Sequence, residues 1–285
     1  MRHNAKGARR RPLKIMFPAL VTKLKNRITE FVRTFKLNLT HKKHPQGRPL
    51  KIENENAIVL ALYQHASTRA TKKSVYEDFK ESLGCSYKTL VLAMNRAAVF
   101  VMQILFILMR MGKKHGHPVK YTDATDLPVC LKKNADSNRV MRGFAEIGHS
   151  SKGWYYGLKM TMTRDAAGNI LGLRFTSPRK NDRDIFRSIN RDIQGIIVAD
   201  AGYVSKQLEK DMDIDGIRWV MIRPFKSMKK LATKWQDRLY RSRFQIEFDF
   251  RSMKLFHGLV SSLPRSVDGM IANYLNAVGS FVLSE

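Results

Sequence analysis

The chain has 285 residues, 44% of them apolar, which is enough for one large domain or a helical domain beside a core, and too apolar for wholesale disorder. Fifty-two Lys and Arg against 24 Asp and Glu leave a formal charge of +28. Such an excess repels itself unless a polyanion offsets it, so nucleic acid is the expected partner, with a ribosomal or membrane-surface protein as the blander reading. Two distant cysteines, Cys85 and Cys130, exclude a disulfide framework or a zinc ribbon and point to a reducing, cytoplasmic compartment.

Residues 1–50 carry 14 Lys and Arg and a single acid, Glu30. Arg9-Arg10-Arg11 and His41-Lys42-Lys43-His44 flank Leu20, Leu24, Ile28, Phe31 and Phe35, whose spacing predicts an amphipathic helix. The segment reads equally well as a basic DNA-binding arm or as a solvated tail. From about Ile52 to Met111 the pattern is helical. One helix is expected over Asn56–Gln64 and a second over Val75–Leu83, with Ser74 and Glu77 spaced as a capping box. A third is expected from Lys88 to about Met111, with Ser86 as its N-cap and a position at the centre of a small bundle. The composition does not decide whether two of these form a helix-turn-helix. The apolar run Ala97–Met109 is about 13 residues, is interrupted by Gln103 and is bounded by Arg96 and Arg110. A membrane span needs about 20 residues, so a buried helix and no membrane partner are expected. No secretory signal is visible at the N-terminus.

His115-Gly116-His117-Pro118 reads as a linker. After it the texture changes to strands: Val119–Thr125, then a hairpin of Trp154–Thr163 and Asn169–Thr176 turning at Asp165-Ala166-Ala167-Gly168. A helix follows over Asn181–Asn190, and Gly195–Asp200 is an apolar strand of the kind buried on both faces. A helix from Val204, a strand over Arg218–Ile222 and a long helix from about Lys229 complete the series. The organisation expected is a basic arm (1–50), a helical DNA-binding domain (51–115) and an α/β domain with a mixed sheet covered by helices (116–285).

Three acids stand out. Asp123 lies in a strand among polar or small neighbours, and Asp200 ends the strand Ile196-Ile197-Val198-Ala199, where open α/β sheets place ligand sites. Capping of the next helix is the competing role for Asp200. Glu247 sits on a helix rich in Phe, where a carboxylate needs a cation; Arg243 as a structural ion-pair partner is the alternative to a metal. Asp249 is expected on the opposite, exposed side. Tyr240, Arg243, Glu247 and Lys254 follow at offsets of 3, 4 and 7 residues, along one stripe of a helix. Carboxylates on separate elements beside cations fit two-metal phosphoryl transfer, in which paired divalent ions clamp the attacking and leaving oxygens.

The runs Asp200-Ala201-Gly202-Tyr203 and Tyr240-x2-Arg243-x3-Glu247-x6-Lys254 resemble the DDE transposases of bacterial insertion sequences that carry a Tyr-Arg-Glu-Lys signature. Asp123-Ala124-Thr125-Asp126-Leu127-Pro128-Val129-Cys130 is similar to the family's first-acid motif. Ser150 to Lys159 resembles the segment entering its second strand, and Thr176-Ser177-Pro178 through Asp182-Arg183 its next loop. The similarity spans about residues 119–270. It implies an RNase H-like catalytic core, preceded here by a small all-helical domain. It further implies that Asp123, Asp200 and Glu247 are catalytic ligands of two Mg²⁺ (or Mn²⁺) ions, and that Tyr240, Arg243 and Lys254 contact DNA phosphates. The implied partners are double-stranded DNA, as terminal inverted repeats and target, and a second copy of the chain in a synaptic homodimer. The implied reaction cleaves element ends and joins the 3′-hydroxyl to target DNA. A transposase-derived DNA-binding protein without catalysis and a host nuclease are the alternatives. Two departures stand out: Ala124 where the family has Ser, and Thr161 where it has His.

Overall fold

The computed structural model describes residues 16–40, 50–150, 152–222, 233–261 and 263–284. Both basic clusters of the first 50 residues lie outside them. The helix between those clusters, α1 (Met16–Phe35), is neither a detached arm nor a solvated tail. Leu24 and Ile28 are fully buried in the core. Lys23 and Arg27 donate to the Ser284 and Leu283 carbonyls, at 2.9 and 2.7 Å, which joins the start of the chain to its end.

Three more helices follow: α2 (Asn54–Ala66), α3 (Lys72–Leu83) and α4 (Tyr87–His115). The central helix is α2, not α4: its residues from Ala57 to His65 are all buried. α3 starts earlier than its pattern predicts, because Thr71 caps it by accepting from Ser74 N–H at 3.0 Å; Glu77 pairs instead with Lys73 and Lys80. Ser86 caps α4 by accepting from Thr89 N–H at 3.3 Å. By length and composition α4 could cross a membrane, but half of its apolar window is buried within the protein.

Among the described residues six strands form one mixed sheet: β1 (Val119–Leu131), β2 (Glu146–Ser150), β3 (Gly153–Asp165), β4 (Ile170–Thr176), β5 (Gly195–Ala199) and β6 (Arg218–Ile222). The order is β2-β3-β1-β5-β6, and β4 pairs with the second half of β3 beyond β2. β3 runs antiparallel to β1, while β1, β5 and β6 are parallel. β1 extends past its expected end at Thr125 through a bulge between Pro128 and Cys130. Gly157 permits that approach, since a Cβ there would lie 2.2 Å from the Leu127 carbonyl oxygen. The β3–β4 turn closes at Gly168, with φ of 99° and its N–H donated to Asp165 O.

Helices cover both faces. α5 (Asp182–Asn190) and α6 (Lys206–Met212) enclose a small core that includes Phe186, Ile197, Leu208 and Val220. On the other face lie α7 (Lys234–Ser242), α8 (Phe244–Leu255) and α9 (Val267–Ser284). Their core is continuous with the N-terminal bundle, because α9 returns against α2 and α4 and stacks Tyr274 on Phe175 of β4. The N-terminal helices and this face of the sheet therefore share one hydrophobic core, distinct from the smaller one under α5 and α6.

His65, near the end of α2, is a consequence of that packing. It is buried and its Nδ1 lies 2.7 Å from the His257 carbonyl; burial pushes its pKa down to about 4. The folded protein holds His65 neutral while the unfolded chain protonates it near 6.5, so stability is fully present above pH 6.5 and is lost as pH falls toward 4. The expected loss from this group is about 3 kcal/mol. Urea unfolding of wild type and His65→Gln between pH 7 and 4 checks it: the variant's curve should be flatter, and parallel curves would contradict the assignment.

Candidate active site

The pairing of β1 with β5 positions the first two acids. In this parallel pair Thr122 is in register with Ala199, so the next residues, Asp123 and Asp200, emerge side by side where β5 ends. Asp200 then turns its carboxylate onto its own 3-10 turn, accepting from Ala201 N–H at 2.7 Å. The capping role and the site position belong to the same side chain. Asp123 likewise accepts from Ala124 N–H at 2.8 Å.

The third acid arrives on α8, and here the structure departs from a single regular stripe. The long helix breaks at Arg243: α7 ends at Ser242, Arg243 N–H reaches back three residues to Tyr240 O, and α8 begins at Phe244. α8 is held on the sheet by an ion pair of low exposure, Arg164 Nη1 to Asp249 Oδ2 at 2.7 Å, with a further contact to the Gln245 carbonyl at 3.5 Å. Asp249 is thus an anchor of α8 and not the exposed bystander its position on a helical wheel suggests.

Arg243 is the centre of the arrangement. It is 5% exposed, and its Nη1 lies 3.3 Å from Asp123 Oδ2 and 2.9 Å from Glu247 Oε1, while Nη2 lies 3.9 Å from Asp200 Oδ1. Three carboxylates from three elements converge on one guanidinium. The Tyr240 hydroxyl donates to Asp200 Oδ1 at 3.1 Å, and its ring sits 5.3 Å from the guanidinium carbon. Burial opposes the Arg243 charge, but Tyr240 and the three acids outweigh it and hold the arginine pKa above its usual value. Burial pushes Asp123 up to about 6, offset in part by Ala124 N–H and Arg243, with Asp200 and Glu247 adding repulsion.

Lys254 is not at this centre. Its Nζ pairs with Asp126 at 2.8 Å, three residues beyond Asp123 along β1, and both partners are largely buried. Two further features involve neighbours of the acids. Tyr203 packs on Phe186 with its hydroxyl buried and, among the described residues, unpartnered, and its pKa is raised by burial and by nearby Asp123. Ala124 and Thr161, the two departures from the family pattern, are direct cross-strand partners, and the Thr161 hydroxyl is buried without a partner among the described residues.

The donor set suits a hard divalent cation: all oxygen, all carboxylate, all aimed at one positive centre. As arranged, that centre is the guanidinium, and among the described residues no group of three acids, histidines or cysteines stands close enough to hold an ion. An ion would take the place that Arg243 fills.

Taken together, the fold and site define an α/β protein in which an Asp within β1, an Asp just past the end of the adjacent parallel β5 and a Glu on α8 gather around one arginine. A family model described as the transposase DDE domain matches residues 112–265, a span that contains every one of these site residues, and the chain belongs to that family. Among solved structures the chain is similar to one described as a piggyBac transposase synaptic complex with hairpin DNA, at 9% identity and a TM-score of 0.49, covering 95% of this chain and 75% of that one. No curated protein matches it.

Proposed function

We propose that this chain is a catalytically competent transposase of the insertion-sequence type with a Tyr-Arg-Glu-Lys signature, cutting DNA at element ends and joining the freed 3′-hydroxyl to target DNA. The observation that carries the proposal is the convergence of Asp123, Asp200 and Glu247 on one buried cation. Three carboxylates would not be gathered for packing alone, since each resists desolvation beside the others. The strand order, with an antiparallel β1–β3 pair beside parallel β1, β5 and β6, supports reading the sheet as an RNase H-like core.

Asp123, Asp200 and Glu247 would hold Mg²⁺ or Mn²⁺, and the bound metal would supply charge stabilisation to the attacking and leaving oxygens of an in-line phosphoryl transfer. The remaining chemistry belongs to the protein. The Ala124 and Ala201 N–H groups fix the two aspartates, so that little reorganisation is required of them. Arg164 and Asp249 fix α8 and with it Glu247. Arg243, released from the acids, would turn to a substrate phosphate, for which its planar fork is suited. Tyr240 steadies Asp200, and Lys254 would share its charge between Asp126 and a phosphate further along the strand.

Strand-transfer assays with inverted-repeat duplexes test the reading: joined product supports transposition, cutting without joining indicates a nuclease, and binding alone indicates a derived DNA-binding protein. The basic surface makes a second expectation. Affinity for duplex DNA should fall by about 10³-fold between 50 and 200 mM salt, as counterion release by several phosphate contacts requires. A flat response in fluorescence anisotropy would exclude the basic surface as the binding face.

A further inference from the structure

A cavity of about 210 Å³ lies where the end of α2 meets the segment that follows α8. It is separate from the acids: Leu255 in its lining stands eight residues beyond Glu247, about 12 Å along α8. Its polar lining includes Gln64, His65 and Asn273, all more than nine-tenths buried. Its rim is apolar and open, with Leu255, Phe256 and Leu263 exposed and Val260 between them.

The buried polar groups present acceptors. The Gln64 Oε1 atom is buried without a partner among the described residues, an arrangement that native folds seldom tolerate for packing alone. The His65 Nδ1 faces the His257 carbonyl oxygen at 2.7 Å and therefore carries the ring proton. Burial keeps that ring neutral, so its Nε2 is an acceptor. The Asn273 Nδ2 is committed to the Gly258 and Leu259 carbonyls at 3.0 and 3.4 Å, which leaves Oδ1 as the acceptor of that side chain.

The backbone beside these groups is strained. Thr68, also in the lining, takes φ of 55°, a left-handed conformation that suits glycine and is unfavourable for a β-branched residue. Its N–H donates to the His65 carbonyl at 3.3 Å, and the Arg69 N–H donates to the Gln64 carbonyl at 2.8 Å. The tight turn thus fixes the two lining residues that end α2. Strain held in this way concentrates at ligand sites.

Charge and size define the ligand. Among the lining residues only His65 and Arg69 titrate; His65 is neutral, and Arg69 is paired through Nε and Nη2 with Asp78 at 2.9 and 3.1 Å. The cavity therefore offers no unopposed charge to a phosphate or a carboxylate. Sites for drug-sized ligands span about 300–1,000 Å³, so this one admits a single ring or two fused rings. Acceptors call for N–H donors, and the exposed Phe256 ring suits a flat face. We propose that this cavity is a binding site for a neutral, flat, N–H-bearing heterocycle of nucleobase size. A ligand of so few atoms binds weakly, with a dissociation constant of order 1 mM. Two sources offer such a ring: a free nucleoside, or a base drawn out of bound DNA.

Ligand-observed NMR titration of the full chain, with no DNA or metal present, should show adenosine and guanosine binding. N6,N6-dimethyladenosine, which keeps the ring and lacks the N–H donors, should bind at least about 5-fold more weakly than adenosine. Gln64→Leu removes the unpartnered carbonyl and should keep or raise the Tm while weakening adenosine by at least about 5-fold. Phe256→Ala, at an exposed position, should retain the fold and show a similar loss. No binding of either nucleoside at 10 mM would overturn the proposal. So would binding that neither substitution changes, or equal binding of the dimethylated analogue. The source is read with a 2-aminopurine-labelled duplex in EDTA: a fluorescence rise on binding that is lost in both variants assigns the site to a base from DNA, and nucleoside binding without that rise assigns it to a free ligand. A protein that cuts and joins DNA but binds no nucleoside would refute this site alone; one that binds nucleosides and never cuts would refute the proposed function alone.

Discussion

Replacing Asp200 by Ala is expected to reduce metal-dependent cleavage of element ends by about 10³-fold or more, because in the proposed mechanism it removes a metal ligand and with it several kcal/mol of charge stabilisation from the transition state. Binding of the same DNA, measured in EDTA so that no turnover occurs, should be essentially unchanged. The physical basis is the place of Asp200 at the end of β5, in register beside Asp123, with its carboxylate accepting from the N–H of the next residue. Alanine at this surface-reaching position removes a ligand without opening the core, so the folded state should persist. Equal cleavage by the variant would mean that the acids gathered around Arg243 are not the catalytic set.

The second large effect concerns stability. Arg243→Gln removes the one cation shared by Asp123, Asp200 and Glu247 and leaves three carboxylates facing each other, one of them poorly solvated. Breaking a buried charge cluster from one side costs about 3 kcal/mol, which for a chain of this size corresponds to a fall in Tm of about 6–10 °C. That deficit should be largest in EDTA and should shrink in Mg²⁺, because an ion bound only by the folded state restores the missing positive charge and stabilises by mass action. Thermal unfolding with and without Mg²⁺ measures both quantities. A deficit of the same size in either condition would show that Arg243 and a metal do not compete for one place. Arg243→Lys should rescue only in part, since a single ammonium cannot span three carboxylates as a planar guanidinium does.

The parts of this molecule that could be read from sequence are those determined within a few residues. β5 and β6 are short apolar runs with clear ends, Ser86 is a local cap, and the β3–β4 turn carries its glycine where the chain must take a positive φ. The place of Asp200 just past the end of β5 was legible because the strand is apolar and stops there. β2 was missed: Glu-Ile-Gly-His-Ser has only one strong strand former, and its pairing with β3 supplies the order. The break at Arg243 was missed because a helical wheel assumes an unbroken helix, whereas the converging acids hold that arginine in a tighter turn. Within the unbroken α8 a helical wheel also gives no sign of what Lys254 and Asp249 meet. Their partners, Asp126 and Arg164, lie 128 and 85 residues away in sequence, and no local pattern reports such pairs. α1 shows a related limit: its basic residues suggested an arm, yet two of them satisfy the last carbonyls of the C-terminal helix.

The most direct test is anomalous scattering from a crystal of the protein soaked in Mn²⁺. A strong peak should lie about 2.1 Å from carboxylate oxygens of Asp123, Asp200 and Glu247, with the Arg243 guanidinium displaced from their midst. Mn²⁺ bound elsewhere, or no peak with Arg243 still bridging all three acids, would contradict the account.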